Sequence, residues 1–362
     1  MNRRATSVVL LALAAAAAGG AAWPTAKDAL IERYRAVCTS LAAKAERAEQ
    51  VAIKGEDGWL FLAADLRHAG VGKFWGDEAK EVSRAGKGDH ADPVPAIVSF
   101  NDQLRALGIE LLLVPVPPKA VVYADKVPDS PVRPDPNGRV PRVDPHHQAF
   151  YKLLGKKGVR VLDPAPWLLA ARADDDRQPP YCKTDTHYSP AACEIIARHL
   201  AETIRKREWY ADAPKSKVRT KADRRKIVGD LARAVDKDDP PTETLVMRFV
   251  ELEGTDVDGR QSPVLLLGDS HTLVFHLGGD LHAEGAGLVA QLAAELKMPV
   301  DLLGVRGSGA TPARVNLYRR SSRDPDYLDG KKLVIWCLTA REFTEALAGW
   351  RVLPVAKGSG GS

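Results

Sequence analysis

The fold is decided by one stretch, Ser262-Pro-Val-Leu-Leu-Leu-Gly-Asp-Ser-His-Thr-Leu-Val-Phe-His276. Its apolar run Val264–Leu267 is typical of a short, fully buried strand, and Gly268 breaks that run before Asp269 and Ser270. A strand followed by a sharp turn would place the Ser270 hydroxyl at the carboxyl end of a parallel sheet, where open α/β sheets bind their ligands. The stretch therefore predicts Ser270 as a nucleophile. The alternative is that Gly-Asp-Ser is an ordinary turn tripeptide.

Similar apolar runs recur along the chain and alternate with segments of helical periodicity. The predicted strands are Ile109–Val114, Val159–Leu162, Val264–Leu267, Val300–Val305 and Leu333–Leu338. Parallel strands that are buried on both faces read as continuous apolar runs of this kind. The rhythm predicts an α/β fold with a mostly parallel sheet covered by helices on both faces.

Capping residues and prolines mark where the helices and loops of this rhythm lie. Ser189 is an N-cap candidate, and Pro190 suits the first helical position after it. The other predicted helices include Ile97–Leu107, His146–Leu154, Leu288–Leu296 and Ala313–Arg319. Gly70–Asp92 is expected to be a loop, and six prolines make Pro128–Pro145 irregular.

Composition places the chain among ordinary globular proteins. With 362 residues it has room for one large α/β domain or two modest ones. A formal net charge of +5 is mild and does not suggest a nucleic-acid partner. The four scattered cysteines form no CxxC pair, which argues against a zinc ribbon.

The N-terminus predicts export. Arg3 and Arg4 precede the uncharged stretch Ala5–Ala26, as in a signal peptide or a weak membrane anchor over residues 1–26. Either reading predicts that the body of the protein lies outside the cytoplasm. Residues 27–52 are expected to be a helical stalk, residues 53–350 the main domain, and the Gly/Ser-rich end of 351–362 a flexible tail.

A serine hydroxyl needs a base, and the base needs an acceptor that orients it. The segment Lys183-Thr-Asp-Thr-His-Tyr-Ser-Pro190 offers both, because Asp185 and His187 point to the same side of an extended chain. The alternative is that Asp185 caps a turn and His187 packs against the start of the next helix.

Other histidines compete for the role of base. His271 follows the serine directly, but adjacent side chains diverge on a turn, so we expect it to be a wall residue. Structural or solvated positions are expected for His276, His146, His147 and His199. Asp185, His187, Asp269 and His271 together would also make a reasonable zinc ligand set. The turn after a strand explains more of the local sequence, so we predict no metal.

Two further features leave alternatives open. Lys215–Lys226 holds seven basic residues and one acid, and is either a solvated helix face or loop or a surface for a polyanionic glycan. Cys182 and Cys193 bracket Asp185 and His187, so they either form a disulfide or are buried as small apolar residues.

Several short blocks, in order, resemble one known family. They are Gly55-Glu-Asp-Gly-Trp-Leu-Phe-Leu62, Val114-Pro-Val-Pro-Pro-Lys119 with Val122-Tyr123, Lys183-Thr-Asp-Thr-His187, Gly229-Asp-Leu231, Gly268-Asp-Ser270, and Val334-Ile-Trp336 with Arg341. Together they are similar to the SGNH hydrolase-like domain of the alginate O-acetyltransferases, the AlgJ/AlgX-like group, which acetylate bacterial exopolysaccharides. In that group the Asp-x-His motif precedes the serine, as it does here.

The resemblance implies roles for individual residues. Ser270 would be the nucleophile, His187 the general base and acid, and Asp185 the residue that orients His187. Tyr188 stands where the family usually has tryptophan and is a substrate-binding candidate, as is Arg341, which either binds a substrate carboxylate or pairs with an acid. For the oxyanion hole we predict the Ser270 backbone N–H together with Gly307, Ser308 and Gly309, whose glycines allow close backbone approach.

The expected reaction is acetyl transfer to an exported polysaccharide through an acetyl-serine. The sequence has no nucleotide-binding signature, so we expect no bound cofactor. By resemblance, a membrane-bound O-acyltransferase would supply the acetyl group. The alternatives are a carbohydrate acetylesterase with the same triad, or a catalytically silent glycan-binding component of an export complex.

Overall fold

A computed structural model describes residues 25–174, 178–253 and 259–357. The expected signal peptide or anchor therefore lies almost wholly outside the described residues, as does the end of the expected tail. Within these ranges, no helix combines the length and apolar character that a membrane crossing requires.

The centre of the molecule is a five-stranded, fully parallel sheet in the order β4-β3-β9-β7-β8. The strands in the described chain are β1 (Ala52–Lys54), β2 (Leu60–Leu62), β3 (Glu110–Val116), β4 (Arg160–Val161), β5 (Val218–Val228), β6 (Thr242–Leu252), β7 (Val264–Gly268), β8 (Asp301–Gly304) and β9 (Leu333–Thr339). All five predicted sheet strands are present, and the predicted parallel α/β fold is confirmed.

Helices cover both faces of this sheet. They are α1 (Ala26–Arg47), α2 (Ala63–Gly70), α3 (Ala79–Val82), α4 (Pro93–Ala106), α5 (Lys119–Val122), α6 (Pro145–Lys156), α7 (Ala165–Arg172), α8 (Pro190–Ile204), α9 (Glu208–Asp212), α10 (Asp230–Val235), α11 (Leu288–Leu296), α12 (Thr311–Arg323) and α13 (Glu342–Glu345). As predicted, Ser189 caps α8 and Pro190 opens it. Helix α11 has the predicted bounds.

Alternation along the central strands separates two apolar cores. Leu112 and Val114 of β3 join the core that contains residues of α1, α8 and α11. Leu111 and Leu113 point the other way, into the core that contains residues of α4, α6 and α12. Because both faces are buried, the carboxyl edge of the sheet is left as the place where polar side chains meet solvent.

The segment expected to be a stalk is helical but does not stand free. One face of α1 lies in the first core through Tyr34 and Cys38, which are both fully buried. The Tyr34 hydroxyl donates a hydrogen bond to the Ala120 carbonyl of α5. The apolar spacing that predicted the helix is therefore the face by which it packs on the domain.

The basic run Lys215–Lys226 was expected to be a helix face or a loop, and this prediction is wrong. Most of it belongs to β5, which pairs antiparallel with β6 over 11 residues. Seven of the eleven β5 residues are exposed and only Ile227 is buried, so the strand carries no apolar alternation by which it could be recognised. The pairing with β6, which is partly buried, holds β5 in place.

Two smaller expectations are also corrected. We expected Pro115 to end β3, but the strand continues to Val116. Pro115 faces the same neighbour as Leu113, whose carbonyl accepts the N–H of Leu162. Strand β4 ends before that residue, at Val161, so Pro115 lies beyond the paired part of this edge strand. His147 was expected to be solvated, but it is buried, and its Nε2 lies 2.7 Å from Nε2 of His68.

Candidate active site

Ser270 lies on the turn that follows β7, at the carboxyl edge of the sheet. The turn is tight because Gly268 has no side chain: an added Cβ would lie 2.3 Å from Thr272 Cγ2. Asp269 holds the turn by accepting the backbone N–H groups of His271 at 2.9 Å and of Thr339 at 2.8 Å. Ser270 itself is partly exposed and begins a short 3₁₀ turn. The predicted strand–turn–serine geometry is therefore present.

His187 and Asp185 reach this serine from a loop 83 residues upstream. His187 Nε2 lies 3.0 Å from Ser270 Oγ, and His187 Nδ1 lies 2.6 Å from Asp185 Oδ1. The Asp185 side chain is 2% exposed and that of His187 13%. A buried carboxylate, an orienting contact and a partly accessible hydroxyl form the arrangement that nucleophilic acyl transfer needs.

The loop that carries Asp185 is held from two sides. Glu243, near the start of β6, accepts the backbone N–H groups of Lys183 and Thr184 at 2.8 Å each. Lys119, at the start of α5, is buried and donates to the carbonyls of Leu60 and Asp185. Burial lowers the pKa of Lys119, and two backbone carbonyls accept hydrogen bonds from its Nζ. These contacts explain why the segments around Leu60 and Lys119 accompany the Asp-x-His motif in the sequence.

The block Gly229-Asp-Leu231 also positions the Asp185 carboxylate. Asp230 N donates to Asp185 Oδ2 at 2.9 Å, and Asp230 Oδ1 accepts the N–H of Thr186 at 2.7 Å. The approach requires glycine at 229, because an added Cβ would lie 2.0 Å from the carbonyl oxygen of Thr184. The end of β5 thereby delivers a backbone donor to the candidate site.

His282 is a member of the site that the sequence did not predict. Its Nε2 lies 2.8 Å from Asp185 Oδ2, and its side chain is only 12% exposed. The residue lies on the irregular segment between β7 and α11, which has neither apolar periodicity nor a recognisable motif. The only sequence signal was a histidine in a turn-rich stretch shortly after Ser270.

Burial alone would raise the pKa of Asp185, but hydrogen bonds from His187 and His282 outweigh it and hold this pKa well below its usual range. Asp185 is therefore an anion at neutral pH. His271 behaves differently, because burial, followed by the charges of His187 and Arg341, lowers its pKa well below the ordinary value. His271 is therefore neutral, and its ring lies against that of His187 at a centroid distance of 4.5 Å. This fits the predicted wall residue.

The predicted oxyanion segment lies beside the serine turn. An added Cβ on Gly309 would be 3.0 Å from Asp269 Cβ, so Gly309 packs directly on that turn. Ser308 is hydrogen-bonded to Glu342 of α13. Burial raises the pKa of Glu342 to about 7, although the Ser308 contact opposes the shift. The structure thus brings the 307–309 segment to the site and ties it to α13.

A cleft of about 690 Å³ opens next to this segment. Its walls are formed by the end of α1, by α2 and by the region around α13, and they include Gly307, Ser308 and Arg341. Arg341 Nη1 lies 3.1 Å from Asp65 Oδ1. Of the two roles expected for Arg341, the structure therefore shows the pairing with an acid. The guanidinium still borders the cleft.

Tyr188 does not belong to the substrate surface, and this part of the prediction is corrected. Its side chain is fully buried, in the first core, and its backbone forms a bridge with Tyr181. In an extended segment neighbouring side chains point to opposite sides. Tyr188 therefore points into the core because His187 points out of it.

The zinc alternative required Asp269 and His271 beside Asp185 and His187. Within the described ranges, the group with suitably close ligand atoms is instead Asp185, His187 and Asp230, all within 4.8 Å of one another. The oxygens of Asp185 and Oδ1 of Asp230 accept hydrogen bonds from protein groups. The absence of a metal remains a prediction.

The four cysteines are free and buried. For Cys182 and Cys193 this agrees with the alternative of small buried apolar residues and not with a disulfide.

The fold and this site together define a class, the SGNH hydrolase-like enzymes with a serine at the carboxyl edge of a parallel sheet. The chain belongs to the family described as "SGNH hydrolase-like domain, acetyltransferase AlgX", whose model matches residues 52–340. It is therefore an O-acetyltransferase by family, and the resemblance predicted from the short sequence blocks is confirmed.

Individual relatives agree with this family. The chain is 25% identical over 311 residues to the probable alginate O-acetylase AlgJ of Pseudomonas aeruginosa, which covers 83% of this chain and 70% of the relative. Its structure resembles the O-acetyltransferase domain of Pseudomonas putida AlgJ, with a TM-score of 0.60 and 21% identity over 81% of this chain and 92% of that one. It also resembles Pseudomonas aeruginosa AlgX, with a TM-score of 0.57 and 16% identity over 84% and 65% of the two chains. At these identities the two structural likenesses establish the fold.

Proposed function

We propose that this protein transfers an acetyl group to a hydroxyl of an exported bacterial polysaccharide through an acetyl-serine on Ser270. The observation that carries the proposal is the continuous contact from Asp185 through His187 to Ser270, at 2.6 and 3.0 Å. In addition, the relatives are named alginate O-acetylases. We extend from them to this chain only a polysaccharide acceptor, without assigning the sugar.

In the first half-reaction, His187 accepts the Ser270 proton as Oγ attacks the acetyl carbonyl of the donor. The anionic Asp185 holds the ring in the tautomer with Nε2 free to accept, and stabilises the imidazolium that forms. When the tetrahedral adduct collapses, the bond to the donor's leaving group breaks and His187 returns the proton to that group. The product is an ester between acetate and Ser270.

In the second half-reaction, a sugar hydroxyl gives its proton to His187 and attacks the same carbonyl. When this adduct collapses, the bond to Ser270 Oγ breaks and His187 returns the proton to Oγ, which regenerates the enzyme. Both adducts carry an oxyanion, for which the backbone N–H groups of Ser270 and of the Gly307–Gly309 segment are the proposed donors. Each well-placed donor of this type stabilises the transition state by about 3 kcal/mol. The cleft bordered by Ser308 and Arg341 is the proposed place for the acceptor.

The remaining assignments follow from this chemistry. A partner, a membrane-bound O-acyltransferase, would supply the acetyl group, and no cofactor is assigned to this chain. Residues 1–26 would carry the protein into the periplasm or hold it at the inner membrane, and residues 53–350 would form the acetyltransferase domain, followed by a flexible tail.

Water is the competing acceptor, since Ser270 and His187 are partly accessible to solvent. With water the same triad would act as a carbohydrate acetylesterase. A chain with no reactive serine would instead be a glycan-binding component of an export complex.

One experiment separates the three functions. A serine-directed phosphonate should label the wild type at Ser270 and leave Ser270→Ala unlabelled, while Ser99→Ala on α4 serves as a matched serine control and stays labelled. An acetyl ester is then supplied with and without an oligosaccharide, and both free acetate and acetylated sugar are measured by mass spectrometry. Equal labelling of Ser270→Ala would refute the nucleophile. Acetate release without any acetylated sugar, over a panel of oligosaccharides, would refute the transferase in favour of the esterase.

A further inference from the structure

His282 completes the hydrogen-bonding of the Asp185 carboxylate. Asp185 Oδ1 accepts from the backbone N–H and from Nδ1 of His187, at 2.9 and 2.6 Å. Asp185 Oδ2 accepts from the backbone N–H of Asp230 at 2.9 Å and is 2.8 Å from His282 Nε2. A carboxylate offers about four lone-pair sites, so all of them are used, and His282 supplies one of the two side-chain donors.

The tautomer of His282 follows from this geometry. An ionised carboxylate can only accept hydrogen bonds, so Nε2 of His282 must carry its proton. His282 Nε2 therefore donates to Asp185 Oδ2, as His187 Nδ1 donates to Asp185 Oδ1. The charged groups that face the Asp185 loop from neighbouring elements include Lys119 of α5, whose ammonium binds the Asp185 backbone carbonyl, Asp230 of α10, which accepts the N–H of Thr186, and Glu243 of β6, which accepts the N–H groups of Lys183 and Thr184.

The backbone of His282 is tied to the segment that carries the nucleophile. Ser270 O accepts the N–H of Val274, and Val274 O accepts the N–H of His282, each at 3.0 Å. The imidazole thus links the serine segment back to the aspartate loop, at a second point besides the contact between His187 and Ser270. Two links between the same pair of segments restrict their relative motion more than either link alone.

We propose that His282 is a positioning residue of the acyl-transfer site, which fixes the Asp185 carboxylate and shares its negative charge, so that the site is a Ser–His–Asp–His tetrad. The inference rests on the proposed function. Without the His282 donor, the carboxylate is free to rotate about its side-chain bond, and its charge falls more heavily on His187. Rotation reduces the fraction of enzyme with a productive His187 ring, and the undivided charge of Asp185 attracts a protonated His187 more strongly.

The test compares His282→Leu, which removes the donor, with His282→Gln, which keeps an N–H group on a chain of similar reach. Phe275→Leu is the matched control, because Phe275 packs beside the His282 ring and does not touch the carboxylate. The readouts are the phosphonate labelling rate, the pH profile of kcat/KM on a small acetyl ester, the far-downfield proton NMR signal of the hydrogen bond between His187 and Asp185, and the melting temperature.

We expect His282→Leu to lose about 100-fold in labelling rate, which is the effect of misplacing a catalytic group by about 1 Å. The acid limb of its pH profile of kcat/KM should move to higher pH. The NMR signal of the proton between His187 and Asp185 should also shift. His282→Gln should recover most of the rate, while Phe275→Leu lowers the melting temperature and leaves the pH profile in place. A wild-type rate and profile in folded His282→Leu would overturn the proposal, as would the same loss and shift in Phe275→Leu. Failure of the wild type to label would instead reject the proposed function, and the NMR signal would still report on His282.

Discussion

The chain contains the same tripeptide pattern twice at its candidate site, as Asp185-Thr-His187 and Asp269-Ser-His271. Both aspartates are buried, and each accepts the backbone N–H of the histidine two residues later at 2.9 Å. Each also accepts one distant backbone N–H on its second oxygen, from Asp230 at 2.9 Å and from Thr339 at 2.8 Å. In backbone terms the two sites are nearly equivalent.

They differ in the side chains that surround them. Asp185 has two imidazole donors, which hold its pKa well below the usual range despite burial. Among the residues that the structure describes, Asp269 has backbone donors only, and burial raises its pKa in spite of them. Correspondingly, His187 faces Ser270 and partial solvent, while His271 is buried and neutral.

The comparison indicates that a local Asp-x-His pattern specifies a turn and that distant residues decide what surrounds its carboxylate. Asp185 gains donors from His282 and Asp230, which support its proposed catalytic role, whereas Asp269 gains a backbone donor from β9. Matched changes at the two sites test this difference.

The largest difference is expected between the two histidines. His187→Gln removes the only base in contact with Ser270 among the described residues, and should lower kcat/KM for a small acetyl ester on the order of 10⁴-fold. His271→Gln should cause a far smaller loss, since His271 packs against the His187 ring and accepts the backbone N–H of Tyr188 but is not the imidazole that contacts the Ser270 hydroxyl. Steady-state kinetics at matched folded fraction test this. Comparable losses in both variants would assign His271 to the chemistry and remove the distinction.

The next largest difference concerns the carboxylates. Asp185→Asn should reduce kcat about 10⁴-fold, because the amide no longer stabilises the His187 imidazolium and favours the wrong tautomer. Asp269→Asn should mainly cost stability, about 1–3 kcal/mol, since an amide nitrogen facing Thr339 leaves a buried N–H unpaired. Urea denaturation and kinetics are measured on both. A fully folded Asp269→Asn with the same kinetic defect as Asp185→Asn would contradict the assignment.

A glycine packs against each aspartate, and the space available for a side chain differs between the two glycines. A Cβ at position 229 would lie 2.0 Å from Thr184 O and 2.6 Å from Asp185 N, and both are backbone atoms. At position 309 the nearest atoms would be the Cβ atoms of Asp269 at 3.0 Å and Leu338 at 3.1 Å. Gly229→Ala should therefore displace the Asp185 loop and lower the phosphonate labelling rate by up to about 100-fold. Gly309→Ala should have the milder effect, and the reverse order would show that the serine turn is the more tightly constrained of the two.

The smallest expected effect is on the pH dependence of stability, and it has opposite signs at the two sites. The lowered pKa of Asp185 contributes stability that is present above the ordinary value of 3.8 and is lost as pH falls through the folded-state value. The raised pKa of Asp269 contributes stability that is present below 3.8 and is lost as pH rises through the folded-state value.

Urea unfolding between pH 2 and 6 measures both contributions. The free-energy difference between the wild type and Asp185→Asn should increase as pH rises, and that between the wild type and Asp269→Asn should decrease. Two differences that change in the same direction would mean that the imidazole donors do not distinguish the carboxylates.

The sequence predicted the sheet because its strands are buried on both faces and therefore continuously apolar. It predicted Ser270, His187 and Asp185 as partners because they flank that sheet in recognisable turns. It failed for β5, whose exposed, basic residues carry no burial signal, and whose strand exists through its pairing with β6. The roles of the three residues remain proposals even though the structure brings them together.

Other features of the site could not be predicted, because their contacts span long separations. His282 meets Asp185 across 97 residues, and nothing near His282 in the sequence indicates that contact. Tyr188 is a different case, since its burial follows from the alternation that exposes His187. At this position the family resemblance suggested a substrate contact, whereas the alternation of side chains along the extended segment indicates burial.

Helix α1 fixes a direction in space as well as a set of contacts. Its 22 residues span about 33 Å, and its buried face makes it a rigid part of the domain. Residue 25 is therefore joined to the domain without a hinge, and its position relative to Ser270 is set by the packing of α1. A force or restraint applied at residue 25 would act on the whole domain as one rigid body.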